Sequence, residues 1–329
     1  MAQSTSVDTH DALQLAALRA ALEPLDWPAR FDRLALEDKS ASAAWRARIE
    51  QMRMTFADAA LDELRTQWGD RPLKDGVLQL PSKRMRGALG QAAKRARDRA
   101  IVEMMNAVGD PFAAGVGVGM DERVVEIPLA LQVARLDQPG EVLDAGSALN
   151  VPVVRQIAGR PAARVTHFTL PGSVEPELPD DADRYVRSFG DLRALPFAHR
   201  SFQRVVCVST LEHVGLDNAR FGAATENRDP ESASTAVGEL ARVLAPGGTL
   251  LITVPYGQAA DRGWFRVFDA EGLSRLLAPL AGLETAHRYF FYGHGWTEAG
   301  PHVPPARSTP MAEDVITGVA IVVARRSDA

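Results

Sequence analysis

From about residue 120 onward, short runs of Val, Leu and Ile alternate with segments of helical periodicity, and this alternation most strongly limits the possible folds. It predicts a parallel sheet whose strands are joined by crossover helices. The runs Val205–Val208 and Leu250–Val254 are continuously apolar, so these two strands should be buried on both faces. Strands are expected near residues 141–145, 163–169, 204–209, 249–254, 286–292 and 315–323, and a weaker one near 184–188.

Residues 11–110 have a different texture, with helical periods and no convincing strand pattern. Trp45, Ile49, Met52 and Phe56 are spaced by four, three and four residues, which is one stripe of an amphipathic helix. Prolines interrupt this region, so several helices are expected rather than one. The chain is therefore divided into a helical extension or cap over 1–110 and an α/β domain over 111–329.

The composition supports a globular protein without a general affinity for polyanions. Of 329 residues, 46% are hydrophobic, and the formal net charge is -5. Cys207 is the single cysteine, so no intramolecular disulfide can form, and no Cys/His cluster has the spacing of a zinc site. We expect no metal. The first residues lack the pattern of a secretory signal, and no apolar run approaches the ~20 residues of a membrane span, so a cytoplasmic location is expected.

The run EVLDAGSALN, residues 141–150, has the form of a ligand-binding turn. A short apolar strand ends near Asp144, a turn with Gly146 follows, and Asn150 and Pro152 indicate the start of a helix. Gly146 lacks a Cβ and permits close backbone approach, while Asp144 at the carboxyl end of the strand can orient a polar or cationic group. An ordinary strand-to-helix turn is the alternative interpretation.

Three further blocks follow this turn in order, and together they carry a family resemblance. They are FGDLRALPFAHRSFQRVVCVSTLEHV at 189–214, ARVLAPGGTLLITVPYG at 241–257 and FRVFDAEGLSRLL at 265–277. With their LPF, LEH and PGG elements, the four blocks resemble class I, Rossmann-like S-adenosylmethionine-dependent methyltransferases of the small-molecule type. The resemblance covers about residues 120–329. It implies a doubly wound, mostly parallel seven-stranded sheet whose last strand, ITGVAIVVARR, is antiparallel, and S-adenosylmethionine as the cofactor.

The resemblance also implies roles for individual residues around the cofactor. Asp191 matches the acidic residue beside the adenine, and Leu192 would pack near the ring. Glu212 follows the fourth strand and faces the crevice, and Arg123 or Glu126, in DERVVEIP, would close over the methionine end of the cofactor. The cofactor turn itself matches Asp144, Ala145, Gly146 and Ser147.

The chain departs from the family pattern at four positions. Ala148 and Asn150 stand where further glycines are usual, and Gln203 stands where the family has an aspartate. Thr169 aligns with the acidic residue that holds the ribose hydroxyls; a threonine hydroxyl can make one such hydrogen bond, whereas a carboxylate can accept from both hydroxyls. A pseudo-methyltransferase that serves as a binding module is therefore an alternative.

His213 is the foremost candidate for a general base, because a histidine with an ordinary pKa of ~6.5 can take a proton from a hydroxyl at neutral pH. A histidine that only bonds a neighbouring loop is the plainer interpretation. Tyr256, in VPYG, and His294, in FFYGHGW, are rival residues on the substrate side. By analogy with similar enzymes, the methyl acceptor is expected to be a small molecule or a sugar precursor.

Residues 82–99 form a basic segment, with seven Lys or Arg and one Asp. A solvated helix face is the plain interpretation, and without interleaved aromatic residues nucleic acid is not the expected partner. An RNA methyltransferase using Arg84, Arg86, Arg95 and Arg97, or peripheral contact with an anionic membrane, would be alternatives. An NAD-dependent oxidoreductase is disfavoured because the GxGxxG motif is missing.

Overall fold

The computed structural model describes residues 73–74, 77–78, 95, 97–106, 112, 116–117, 120–173, 177–178, 181–219, 229, 231–293, 295–302 and 316–328. Most of the predicted helical extension over 1–110 lies outside these residues. Within it, residues 97–106 are helical, and Leu73–Lys74 pairs antiparallel with Val77–Leu78, a pairing that the helical prediction did not include. The chain divides into two compact units, one of the residues up to Val124 with Gly293–Trp296 and Met311–Val315, and one of the remaining residues. None of the helices in the described ranges is both long and apolar enough to cross a membrane.

Eight strands form the main sheet in the order β7-β6-β8-β5-β4-β1-β2-β3. Neighbours from β5 through to β3 pair in parallel, whereas β8 runs antiparallel to both β5 and β6. This confirms the predicted doubly wound sheet with its antiparallel last strand and adds one strand, β7, to the predicted seven. The strands are β1 Glu141–Ala145, β2 Arg164–Thr169, β3 Tyr185–Phe189, β4 Phe202–Val208, β5 Leu244–Pro255, β6 Glu284–Gly293, β7 Gly295–Ala299 and β8 Gly318–Arg325.

The helices begin where the sequence supplies a suitable first residue. Pro152 opens α2, where its missing N–H costs nothing, and Asp269 caps α4 by accepting a hydrogen bond from the Gly272 N–H at 2.7 Å. The helices are α1 Arg123–Ala134, α2 Pro152–Ala158, α3 Ser232–Val243 and α4 Ala270–Leu277, with short 3-10 turns at Leu211–His213 and Ala278–Leu280.

The central strands are buried on both faces, as the continuous apolar runs predict. Val205, Val206, Leu250 and Leu251 are all fully buried. Cys207 lies among them, and burial raises the pKa of its thiol well above the ordinary value, so the thiol stays protonated. The core that these strands form with α3 and α4 makes a rigid base for the loops at their carboxyl ends.

The strand order reverses beside β1, because β2 lies on one side of it and β4 on the other. The connections that leave the carboxyl ends of β1 and β4 therefore diverge to opposite halves of the sheet. In open α/β sheets such a reversal leaves a crevice in which ligands bind. The turn after β1 and the turn after β4 are thus the first places to look for a site.

Candidate functional site

The turn after β1 is shaped by a side chain from the neighbouring strand end. Gly146 has a φ of 104°, and a Cβ at this position would overlap the side chain of Thr210. Its N–H donates to the Phe168 carbonyl at 2.8 Å. Ser147 follows with a φ of 59°, which is uncommon for a residue with a side chain. Glycine at position 146 is therefore required by φ and by Thr210.

Two polar atoms in this turn are buried without a hydrogen-bond partner among the described residues. They are Asp144 Oδ1 and Ser147 Oγ. Asp144 is fully buried and Ser147 is 7% exposed, while Ala145 between them is fully buried as well. Buried polar atoms are nearly always hydrogen-bonded, so this pair fits a turn that receives a polar ligand.

The second oxygen of Asp144 is bonded twice. Asp144 Oδ2 accepts from the Leu149 N–H at 2.9 Å and from His167 Nδ1 at 2.7 Å. His167 is 2% exposed and lies in register with Asp144 across β1 and β2. Sequence reasoning did not single out His167, although an ionisable residue within the predicted strand at 163–169 is itself a signal.

Thr169 lies where the resemblance implies a ribose-binding residue, as the last residue of β2. It is in register with Phe189 at the end of β3, and its carbonyl accepts from the Gly190 N–H at 3.0 Å. Phe189 is 49% exposed, an unusual fraction for a large apolar side chain. The ends of these two strands thus present one hydroxyl and one aromatic ring side by side.

Asp191 is engaged by Arg193 two residues further on. The Arg193 backbone N–H and guanidinium donate to the Asp191 carboxylate at 2.6 to 3.0 Å. The Arg193 guanidinium lowers the pKa of the Asp191 carboxyl, which is partly exposed. Leu192 is buried in the hydrophobic core. Asp191 thus caps its own turn, and contact with adenine stays a prediction.

The LPF turn that follows is held by α3. Glu239 Oε2 accepts from the Leu195 N–H at 2.8 Å, and Arg242 donates to the carbonyls of Leu195 and Phe197 at 3.0 and 2.8 Å. Glu239 and Arg242 also pair with each other, which lowers the pKa of the Glu239 carboxyl. The LPF block therefore has a structural role in this fold, because its backbone groups are hydrogen-bonded to side chains of α3.

Glu212 and His213 follow β4, as the resemblance implies. Glu212 is 1% exposed, and its Oε1 lies 3.8 Å from His213 Nε2. His213 Nδ1 is 2.7 Å from the Trp264 carbonyl, and the two rings stack at 5.2 Å. Because a carbonyl only accepts, Nδ1 carries the proton in the neutral ring, and Nε2 carries the lone pair that a general base needs.

Tyr256 is a buried phenol rather than an open one. Its hydroxyl donates to the Pro301 carbonyl at 2.9 Å, and its ring lies 4.8 Å from that of Tyr289. Burial, with a smaller effect of Tyr289, raises the pKa of Tyr256, so the phenol stays neutral at neutral pH. The third candidate, His294, lies outside the described residues.

Glu126 ties α1 to the ends of two strands. It is fully buried, and its Oε1 accepts from Ser209 Oγ and from Thr253 Oγ1, both at 2.6 Å. Ser209 follows β4 and Thr253 is in β5, so the carboxylate fixes the helix at the carboxyl edge of the sheet. Arg123 is the first residue of α1. Their contact with the cofactor stays a prediction.

A cavity of about 330 Å³ lies between the first turns of α3 and α4 and the pairing of Ala260–Asp261 with Arg266–Val267. Arg266, Phe268 and Asp269 contribute to its lining. The Arg266 guanidinium lies over the Phe268 ring and donates to the Val214 carbonyl, next to His213. This volume is within the range of small-molecule sites.

Of the four arginines of the basic segment, Arg84 and Arg86 lie outside the described residues. Arg97 NH1 pairs with Asp121 Oδ2 at 2.9 Å, and the Arg97 side chain is 18% exposed. Arg95 also has an interaction partner. Arg97 is thus committed to a carboxylate of the chain itself rather than presented to solvent.

One protein family matches part of this chain. The methyltransferase domain family matches residues 175–252, which include β3, β4, α3 and most of β5. This match supports a methyltransferase domain and implies S-adenosylmethionine as the cofactor. No curated protein matches the chain.

Several solved structures are distantly similar. The 1,6-didemethyltoxoflavin-N1-methyltransferase of Burkholderia thailandensis, bound to 1,6-didemethyltoxoflavin and S-adenosylhomocysteine, is 18% identical with a TM-score of 0.40, covering 78% of this chain and 94% of that one. N-methyltransferase NodS of Bradyrhizobium japonicum WM9, in complex with S-adenosylhomocysteine, is 15% identical with a TM-score of 0.37, covering 70% and 98%. A SAM-dependent methyltransferase of Methanosarcina mazei is 18% identical with a TM-score of 0.39, covering 61% and 98%. At these TM-scores the likenesses do not bear on the function of this chain.

Proposed function

We propose that this chain is an S-adenosylmethionine-dependent methyltransferase that acts on a small-molecule acceptor. The observation that carries the proposal is the turn after β1, at the reversal of the strand order, where Asp144 Oδ1 and Ser147 Oγ are buried and have no hydrogen-bond partner in the described part of the chain. The match to the methyltransferase domain family supports the same function. When bound, S-adenosylmethionine supplies a methyl group on a positively charged sulfur.

In this proposal the residues around the strand ends bind the cofactor. Asp144 Oδ1 accepts a hydrogen bond from it, and Ser147 Oγ donates or accepts one. Thr169 makes a single hydrogen bond to the ribose, and Asp191 and Leu192 lie beside the adenine. Glu212, Arg123 and Glu126 complete the list of proposed cofactor residues.

His213 is the proposed general base when the acceptor is a hydroxyl. Its Nδ1–H is directed to the Trp264 carbonyl, so the lone pair on Nε2 is the one that takes the proton. The neighbouring Glu212 carboxylate, 3.8 Å from Nε2, stabilises the imidazolium that results. With an amine or ring carbon as acceptor, alignment of the two reactants is sufficient and this base is not needed.

The acceptor is proposed to be a small molecule or a sugar precursor. The cavity of about 330 Å³ has the volume of a small-molecule site, and Arg266 in its lining is bonded to the carbonyl of Val214, the residue after His213. An RNA acceptor is less well supported, since Arg97 of the basic segment is paired with Asp121.

The proposal is tested by isothermal titration of the protein with S-adenosylmethionine, S-adenosylhomocysteine and NAD. Ser147→Ala removes an oxygen that makes no hydrogen bond within the described chain, so it should leave stability unchanged and weaken S-adenosylhomocysteine binding by about tenfold. Ser274→Ala, on the exposed face of α4, is the matched control and should bind like the wild type.

The outcomes separate the competing functions. Binding of S-adenosylhomocysteine, weakened in Ser147→Ala alone, supports the cofactor site and justifies a screen of small-molecule acceptors. Binding without methyl transfer to any acceptor would favour a binding module that has lost catalysis. Binding of NAD in place of S-adenosylhomocysteine would overturn the proposal in favour of an oxidoreductase.

A further inference from the structure

We propose that His167 is a positioning residue that holds the turn after β1 in its binding conformation through Asp144. This inference rests on the proposed function only for the identity of the ligand that the turn binds. The contact that it uses is internal to the sheet: His167 Nδ1 lies 2.7 Å from Asp144 Oδ2, and both side chains are almost fully buried. A carboxylate only accepts hydrogen bonds, so the imidazole N–H is the donor.

The turn needs such support because its backbone is not relaxed. Ser147 has a positive φ, a conformation that costs a residue with a side chain free energy and persists only where the surroundings impose it. The chain has Ala148 and Asn150 in this turn rather than further glycines. Hydrogen bonds must therefore hold its conformation: backbone bonds, such as that from the Gly146 N–H to the Phe168 carbonyl, and side-chain bonds beside them.

Two such bonds hold the turn from its far end. The Leu149 N–H donates to Asp144 Oδ2, the same oxygen that His167 bonds, and Arg155 NH1 donates to Asn150 Oδ1 at 2.8 Å. If Asp144 rotated, its bond to Leu149 would be lost. The orientation of the Asp144 carboxylate thus decides whether the middle of the turn is fixed.

His167 fixes that orientation because it is itself held. Its ring stacks on that of Tyr185, with the centroids 6.0 Å apart and an angle of 10° between the planes. Its position in β2, directly in register with Asp144, leaves the imidazole little freedom to follow a rotating carboxylate. With Oδ2 committed to His167 and Leu149, Oδ1 is the oxygen that remains for a ligand.

The test compares His167→Leu with His167→Asn, two nearly isosteric replacements that differ in their polar atoms. The Asn amide can place an N–H where the imidazole Nδ1–H was, whereas Leu has no donor. We expect the Leu149 amide to exchange hydrogen at least about tenfold faster in His167→Leu than in the wild type, and at nearly the wild-type rate in His167→Asn. S-adenosylhomocysteine affinity should follow the same order, with a loss of about tenfold to a hundredfold in His167→Leu.

A general effect on folding would look different. Asn is unfavourable in a strand and Leu is not, so a purely structural role would make His167→Asn the more damaged variant in both measurements. Unchanged exchange at Leu149 in His167→Leu, or equal acceleration in both variants, would overturn the proposal. If His167→Leu does not fold, His167→Gln replaces it, because its amide is one methylene too far from Asp144 and should also release Leu149. Should the wild type bind no S-adenosylhomocysteine, the proposed function fails, while the exchange rates of Leu149 still decide the role of His167.

Discussion

Single residues after β1 show how this site differs from one built on several glycines. Gly146 is required because Thr210 occupies the space of a Cβ, whereas Ser147 keeps a side chain at a positive φ. Thr210 and His167 also shape the turn, but both are far from it in the chain, so the local sequence could not reveal them. The conformation of the turn is therefore a property of three adjoining strand ends and not of the local sequence.

Gly146→Ala should lower the free energy of unfolding by at least about 2 kcal/mol, since the new Cβ meets Thr210 and the backbone has an unfavourable φ. Urea unfolding measures the loss. In the double variant Gly146→Ala/Thr210→Ala the two closest overlaps, with Thr210 Oγ1 and Cγ2, are removed, so the combined loss should be smaller than the sum of the two single losses. Strictly additive losses would show that Thr210 is not the obstacle.

Thr169→Asp should strengthen S-adenosylhomocysteine binding several-fold, on the order of one charge-assisted hydrogen bond, because a carboxylate can accept from both ribose hydroxyls. Thr169→Asn is the control of matched size without the charge, and it should bind no more tightly than the wild type. Both affinities can be obtained by isothermal titration. Equal affinities for the two variants would indicate that position 169 does not contact the ribose.

At the scale of elements, α3 organises the turn between β3 and β4. Glu239 and Arg242, one turn apart on this helix, bind the backbone of Leu195 and Phe197. In this fold, the LPF motif is therefore a turn whose backbone is hydrogen-bonded to helix α3. The pKa of the Glu239 carboxyl in this contact is lowered, so the contribution of the contact to stability depends on pH.

Glu239→Gln should lower the free energy of unfolding by about 1 to 2 kcal/mol at pH 7, because a neutral amide pairs less strongly with Arg242. The folded pKa of Glu239 lies below its ordinary value of 4.5, so this stabilisation is fully present above pH 4.5. It is lost as pH falls through the lowered pKa. Denaturant unfolding of both proteins from pH 7 to pH 3 should show the two stabilities converging below pH 4.5, and a constant difference would contradict the assigned cause.

The elements themselves were largely predictable from the sequence, and the contacts between them were not. β1 was placed at its observed bounds because an apolar run ends at a turn, and β5 because Leu250–Val254 is continuously apolar. β7 was missed, since Trp296 stands in a short segment with Gly, Thr and Glu that lacks a strand pattern. The bond between Asp144 and His167 joins residues 23 positions apart, and only the register of β1 and β2 brings them together.

For the molecule as a whole, a ligand that binds only the folded state must raise its stability. S-adenosylhomocysteine at a hundred times its Kd should add about 2.7 kcal/mol to the free energy of unfolding, and NAD at the same concentration should add nothing. Calorimetric melting of the wild type and of Ser147→Ala at several ligand concentrations measures the shift in Tm. An equal shift in both proteins would mean that Ser147 does not contact the ligand.

The position of β8 has a consequence for how the protein is made. This strand, Gly318–Arg325, lies between β5 and β6, both of which leave the ribosome before it. Until β8 is inserted, the nascent sheet has an open gap bordered by the apolar residues of β5, and unpaired strand edges of this kind invite association with other chains. Completion of the sheet therefore waits for a strand that is synthesised after both of its neighbours, and until then the facing edges of β5 and β6 stay open.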